Sequence, residues 1–350
     1  MDSENLNNNA DVTINRIVML RTKDDEDQVV RWAFAETVNY LKQKHDHYWF
    51  KYNFKHWRVH KILYNVFEKM DIPVTRSWYR YGCFIHSTQL AGFENFSSLK
   101  NRYLASHSFP ERLRAYAADI GVDVKSALRE MREIIDAMPS RMDLYLESLY
   151  EDAPKNLGSI YLAKLKLHQS LNFPNRTAFK NLGSFHKWFL EVRRNVSVFH
   201  MVAFPNRQFD DLSDIVVDFS SNLEEAILKV EMMSHLQNKV FKKWSTWMGE
   251  FSEFFDENVW HPFALEISTL TVKGLRKEEE KLKFRKRKIE KATQSLAELA
   301  TLSKNLSEKG LTLSYQDYLR RLKLSRVSKD VADAISEMEK IYEKTSRDTE

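Results

Sequence analysis

Only one cysteine, Cys83, occurs in this chain, which excludes an intrachain disulfide and any multi-cysteine metal centre. Glycine and proline are almost as scarce, at 8 and 7 of 350 residues, against roughly 7% and 5% in ordinary domains. Sheets joined by hairpins draw on both residues for their turns, so the shortage points to long helices with few connections. No stretch comes near the ~18 uninterrupted apolar residues of a membrane span. The opening MDSENLNNNADVT lacks the basic start and apolar core of a secretory leader. A soluble, cytosolic protein is expected. A Gly-rich phosphate loop, a G-x-S-x-G elbow and a dinucleotide fingerprint are all missing, which argues against the common catalysts that use them, and the sequence calls for no cofactor.

What is present is helical periodicity. Val30, Ala33, Phe34, Thr37, Val38 and Leu41 recur at spacings of three and four, and a second helix is predicted over 54–70, ended by Pro73. Further helices are expected at 98–106, 110–119, 123–138, 154–172 and 177–203, then nearly throughout 210–256. Pro110, Pro154 and Pro262 suit first turns. The predicted fold is all-α, a multi-helix lobe followed by long helices and a C-terminal helical-hairpin arm. Its parts are a flexible segment (1–24), an N-terminal helical domain (25–205), a central long-helix region (206–272) and a basic arm (273–350). In the arm Leu275, Leu282, Ile289 and Leu296 fall seven apart, with Ala292, Leu299 and Leu306 as part of a second line. This half-formed heptad pattern permits a homodimer, and equally permits packing within the chain. Gly310 breaks the long helix, and residues 314–345 are expected to return.

Charge is uneven. Residues 271–350 hold 20 Lys+Arg against 14 Asp+Glu, so the whole net charge of +5 resides there. Between Lys273 and Lys291 lie ten basic and four acidic residues. Lys281, Lys283, Arg285, Lys286, Arg287, Lys288 and Lys291 form a candidate surface for a phosphate backbone, which would bind by counterion release. Phe284 is the one aromatic among them, so base stacking is not indicated. A solvated helix face or an acidic protein partner accounts for the same run.

Other constellations carry less. His56 and His60 are four apart, the spacing of two metal ligands on a helix, with His45 and His47 upstream. Trp57 stands where a metalloprotease helix has its Glu, so two partly buried histidines are the plainer reading. Asp210, Asp214 and Asp218, with Asp211 and Glu224-Glu225, are the wet face opposite Leu212, Ile215, Val216 and Phe219, or a seat for magnesium, acid–base chemistry or the basic arm. Cys83 and His86 are three apart, a thiol and a base only if the fold holds them together.

The most distinctive stretch is Lys61-Ile62-Leu63-Tyr64 followed by Trp78-Tyr79-Arg80-Tyr81-Gly82. Tyr64, Trp78, Tyr79 and Tyr81 can pack as one aromatic cluster, with the last three in a loop and Arg80 over a ring face or paired with a carboxylate. Gly82 permits a backbone angle closed to other residues. This segment resembles the opening of the Panacea (SocA-like) antitoxin domain, whose members carry a K-L-L-Y helix and then W-x-Y-G-P; Cys83 replaces the proline here. The resemblance covers about residues 57–86. It implies an all-helical protein that binds and neutralises or regulates a protein partner, with Tyr64, Trp78, Tyr79, Arg80 and Tyr81 as partner-binding residues. Nucleic-acid binding through the 273–291 stretch is the second expectation, and a helical metal-dependent enzyme the third.

Overall fold

The computed structural model describes residues 20–45, 56–87, 90, 108–138, 142–151, 153–154, 157–176, 182–205, 207–233, 247, 249–314 and 316–317. Among these the fold is all-α, interrupted by one two-stranded hairpin. Residues 1–158 and 264–288 make one compact unit, and 159–263 with 289–350 make another.

In the first unit, helix α1 (Lys23–Lys44) starts at a reciprocal cap. The Thr22 hydroxyl accepts from the Asp25 N–H at 3.1 Å, and the Asp25 carboxylate accepts from the Thr22 N–H at 2.8 Å. Acidic residues fill its first turn and lysines its last, as the helix dipole favours. Val29, Val30, Trp32, Ala33, Phe34, Val38 and Leu41 are all buried, too many for one stripe, so α1 is a central helix of this unit. Helix α2 (His56–Lys69) ends with Asp71 at φ 49°. The Ile72 N–H reaches back to the Phe67 carbonyl at 2.9 Å and the Asp71 N–H to that of Glu68 at 3.3 Å, a Schellman cap with aspartate in the position glycine usually takes.

After hairpin strands β1 (Arg76–Tyr79) and β2 (Gly82–Ile85) come α3 (Ser108–Asp119), α4 (Val124–Ala137) and α5 (Met142–Glu151). Helix α4 is capped by Asp123 and buries Ala127, Met131 and Ile135, one residue per turn. Pro110 lies in the first turn of α3, as predicted.

In the second unit, α6 (Gly158–Arg176) begins four residues later than Pro154 suggests. Pro154 instead accepts a turn hydrogen bond from the Leu157 N–H at 3.0 Å. The helix also continues past Pro174. A proline has no N–H for the carbonyl four residues back, and that carbonyl, Ser170, accepts the Trp188 indole N–H at 2.8 Å instead. Helix α7 (Leu182–Ala203) buries Phe185, Trp188, Phe189, Val192 and Phe199 on the predicted stripe. A 3₁₀ turn (Arg207–Leu212) leads into α8 (Ser213–Met233). The π-helical turn Phe255–Trp260 runs straight into α9 (His261–Thr271), which belongs to the first unit from Ala264 onward. Pro262 follows directly, and the wider turn accommodates the N–H it lacks. Phe199, Phe209, Phe219, Phe255, Trp260 and Phe263 form the aromatic core here. Lys164 and Asp256 pair within it at 2.7 Å.

Helix α10 (Lys277–Glu308) contributes residues to both units and ends at Gly310. The predicted helix at 98–106, the segment 1–19 and the returning half of the C-terminal arm lie outside the described residues.

Candidate functional site

The Trp78–Gly82 segment forms the tip of a hairpin rather than a loop. Arg76 pairs with Ile85, Ser77 with Phe84, Trp78 with Cys83 and Tyr79 with Gly82; Trp78, Tyr79, Phe84 and Ile85 are the aromatic and β-branched residues that suit a pleated, half-buried ribbon. Arg80 and Tyr81 make the turn without positive φ, and Gly82 takes φ 99°, the left-handed step that closes such turns.

The hairpin gains a third edge from far down the chain. Arg76 and Lys273 exchange backbone hydrogen bonds at 3.0 and 2.9 Å, and the Leu275 N–H donates to the Pro73 carbonyl at 2.9 Å. Gly274 (φ 98°) sits so close that a Cβ would stand 2.4 Å from the Val74 carbonyl oxygen. Arg276 then locks the crossing. Its side chain donates to Glu26 at 2.7 Å, to Glu280 at 3.0 Å and to the His86 carbonyl. Glu26 is fully buried and also accepts from the Thr75 N–H.

Because side chains alternate across a strand, the predicted single aromatic cluster divides between two faces. Tyr64 meets Trp78 edge-on at 6.3 Å, with the Arg76 guanidinium 6.0 Å from the Tyr64 ring. On the other face Tyr79 contacts Phe84 at 5.9 Å and Phe284 at 6.5 Å, beside Leu265 and Val272. Tyr64 and Trp78 are buried, Tyr79 and Arg80 half-buried, and Tyr81 exposed. The Arg80 guanidinium lies 5.7 Å from the Tyr81 ring centre.

Alternation also separates Cys83 from His86, which face opposite ways. His86 shares a 2.7 Å hydrogen bond with Ser77. Burial pushes its pKa down to about 3, helped by the cations Arg276, Arg287 and Lys283. Ser77 is fully buried, so this Ser–His pair offers a substrate no access. Cys83 is buried too, and desolvation raises its thiol to about 11, against a small opposing pull from Lys61. A thiol of that kind is inert.

Lys61 is the residue whose importance the sequence pattern hid. It is 1% exposed, on a helix buried all round from Arg58 to Tyr64. Its ammonium donates to the Tyr81 carbonyl. Burial lowers its pKa to about 8, only partly offset by Cys83, and among the described residues no carboxylate pairs with it. It borders a cavity of 310 Å³ lined also by His60, Tyr79, Arg80, Tyr81 and Phe84. A Cβ on Gly82 would stand 2.9 Å from the ammonium nitrogen, so the glycine keeps this corner open. The outcome is a small recess with a desolvated cation at its base and a cation and two tyrosines at its rim. Such a recess suits an anionic or carbonyl group.

The remaining candidates fall as follows. The His60 Nδ1 accepts the Ile85 N–H at 3.1 Å, and its ring stacks on Phe84 at 4.0 Å, so that nitrogen serves the fold; the His56 side chain lies outside the described residues. Asp210, Asp211, Asp214 and Asp218 are exposed opposite buried Leu212, Ile215, Val216 and Phe219, the wet face of the sequence reading. In the basic run Lys283 pairs with Glu279 and Glu280 at 2.5 and 2.9 Å, and Lys288 with Glu266 at 2.8 Å. Lys291 bonds Asn258 at 3.2 Å. Lys281 is half-buried, while Arg285, Lys286 and Arg287 are exposed.

A family model described as "Domain of unknown function (DUF8098)" matches residues 104–342. The match starts after the hairpin; of the site's surroundings it takes in Leu149, Tyr150 and the 273–284 crossing. No curated protein and no solved structure matches the chain.

Proposed function

The chain belongs to the DUF8098 family, and we propose that it is a non-enzymatic interaction protein that holds a protein partner at the tip of its hairpin. Tyr81 and Arg80 make the outer contact, and Lys61 receives an acidic side chain or carbonyl of the partner in the recess. Tyr64 and Trp78 support the hairpin from behind. The observation that carries this reading is the buried Lys61, whose ammonium opens onto a cavity beside an exposed aromatic turn. Desolvating a cation with no carboxylate costs stability, and a ligand that supplies the missing charge recovers it. The antitoxin-like role implied by the Panacea resemblance is a specific form of this function; the two share Arg80 and Tyr81 as contacts, while Tyr64 and Trp78, buried here, support them.

Affinity capture from the native host, followed by binding assays with the purified partner, tests it. The expected result is one protein held by the wild type and by Arg285→Glu/Lys286→Glu, and released at least tenfold more easily by Arg80→Glu and Tyr81→Ala. A partner indifferent to both hairpin variants overturns the assignment. So does capture of nucleic acid that disappears with Arg285→Glu/Lys286→Glu and weakens steeply with salt, which transfers the function to the basic helix.

A further inference from the structure

The heptad line of α10 does not face the core. Phe284, Ser295, Leu299 and Leu306 supply the helix's buried stripe, while Leu282 is 67% exposed, Ile289 65% and Leu296 45%; Leu275, in the turn entering the helix, is 37% exposed. Leu282, Ile289 and Leu296, large aliphatic side chains seven apart and all open to solvent on one face of one helix, make a seam of coiled-coil type. Its flanks are charged in blocks: Glu278 and Glu279 precede Leu282 by one turn, and Arg285 and Lys286 follow it by one turn.

We propose that this seam pairs with the same seam of a second copy of the chain, antiparallel, with the twofold axis at Leu282. On a helix, Glu278 and Arg285 lie to one side of Leu282, and Glu279 and Lys286 to the other. An antiparallel twofold at Leu282 therefore sets Glu278 against Arg285 and Glu279 against Lys286 of the second copy, four ion pairs in all. It also sets Leu282 against itself. The alternatives are poorer. A parallel pair places Glu278 against Glu279 and Arg285 against Lys286. An antiparallel pair centred between Leu282 and Ile289 places Arg285 against Arg285 and Lys286 against Lys286. One centred on Ile289 places these cations against Ala292 and Thr293 and forms no ion pair. Glu279 already has Lys283 as a neighbour, so the ion pairs select orientation, and the aliphatic seam supplies affinity. This inference is independent of the hairpin reading.

Cysteine scanning on the full chain tests it, because the native Cys83 is buried and stays silent. Leu282→Cys alone should give a disulfide dimer under mild oxidation. Glu278→Cys and Arg285→Cys should not self-link, but should link to each other when mixed. Sedimentation should show concentration-dependent doubling of mass, weakened at least tenfold by Leu282→Glu. Glu278→Lys/Glu279→Lys should also dissociate the pair, and adding Arg285→Glu/Lys286→Glu should restore it. Self-linking of Ile289→Cys, linking of every single variant, or a monomer at all concentrations overturns the proposal. The last outcome assigns the seam to other cover, such as the chain's own 319–341 segment.

Discussion

Lys61 is costly to the fold, and the proposed function gives that cost a use. Its folded-state pKa of about 8 lies below the ordinary 10.5. Between those values the unfolded chain holds more of the proton, so stability rises with pH through that window. Below pH 8 the full penalty applies, about 3 kcal/mol at 1.36 kcal/mol per pH unit. Lys61→Met should therefore be more stable than the wild type at pH 7 by up to about 3 kcal/mol, with the difference shrinking toward pH 10. Urea unfolding of both proteins at the two pH values checks this, and a difference that does not change with pH removes the buried charge from the account. The expected companion is loss of partner binding, the usual trade between stability and a functional site.

At the scale of elements, the hairpin is a minimal ribbon that would be marginal alone; it is stabilised by α2, by α9 and by the strand-like crossing at 272–276. Ser268 and Thr271 of α9 hydrogen-bond to the backbone of Trp78 at 2.7 and 2.9 Å. The crossing depends on Gly274, where positive φ and the 2.4 Å approach of the Val74 oxygen leave no room for a side chain. Gly274→Ala should cost on the order of 2–4 kcal/mol and loosen Tyr79 from Phe284. Thermal unfolding with tryptophan fluorescence reports both. A wild-type melting curve would mean the crossing adapts freely. Little of this was legible beforehand, because Gly274 reads in sequence as an ordinary break before a helix, and its partner strand is some 200 residues away.

For the whole molecule, the consequence is that the basic arm is not a detachable appendage. Residues 264–288 belong to the same compact unit as residues 1–158, joined by Arg276 on Glu26 and by Phe284 against Tyr79. A chain ending at Val272 should therefore lose amide hydrogen-exchange protection across α1 and the hairpin, on the order of a hundredfold, as expected when a cooperative unit loses one of its segments. Unchanged protection in α1 would show that the N-terminal residues fold without that segment. It follows that the roles of the arm and the hairpin are better separated by surface substitutions than by truncation.

By itself the sequence determined the all-α class, the positions of α1, α2, α4 and α7 to within a few residues, and the solvated row at Asp210–Asp218. These rest on turn-residue scarcity and on a 3.6-residue period, both of which act locally. Tertiary structure alone decided that Lys61 is buried, that Cys83 and His86 face apart, that the aromatic motif is a ribbon with two faces, and that the heptad line points outward. Periodicity identifies apolar stripes but not which stripe meets a partner. That choice is made by contacts between residues far apart in the chain, such as Glu26 with Arg276.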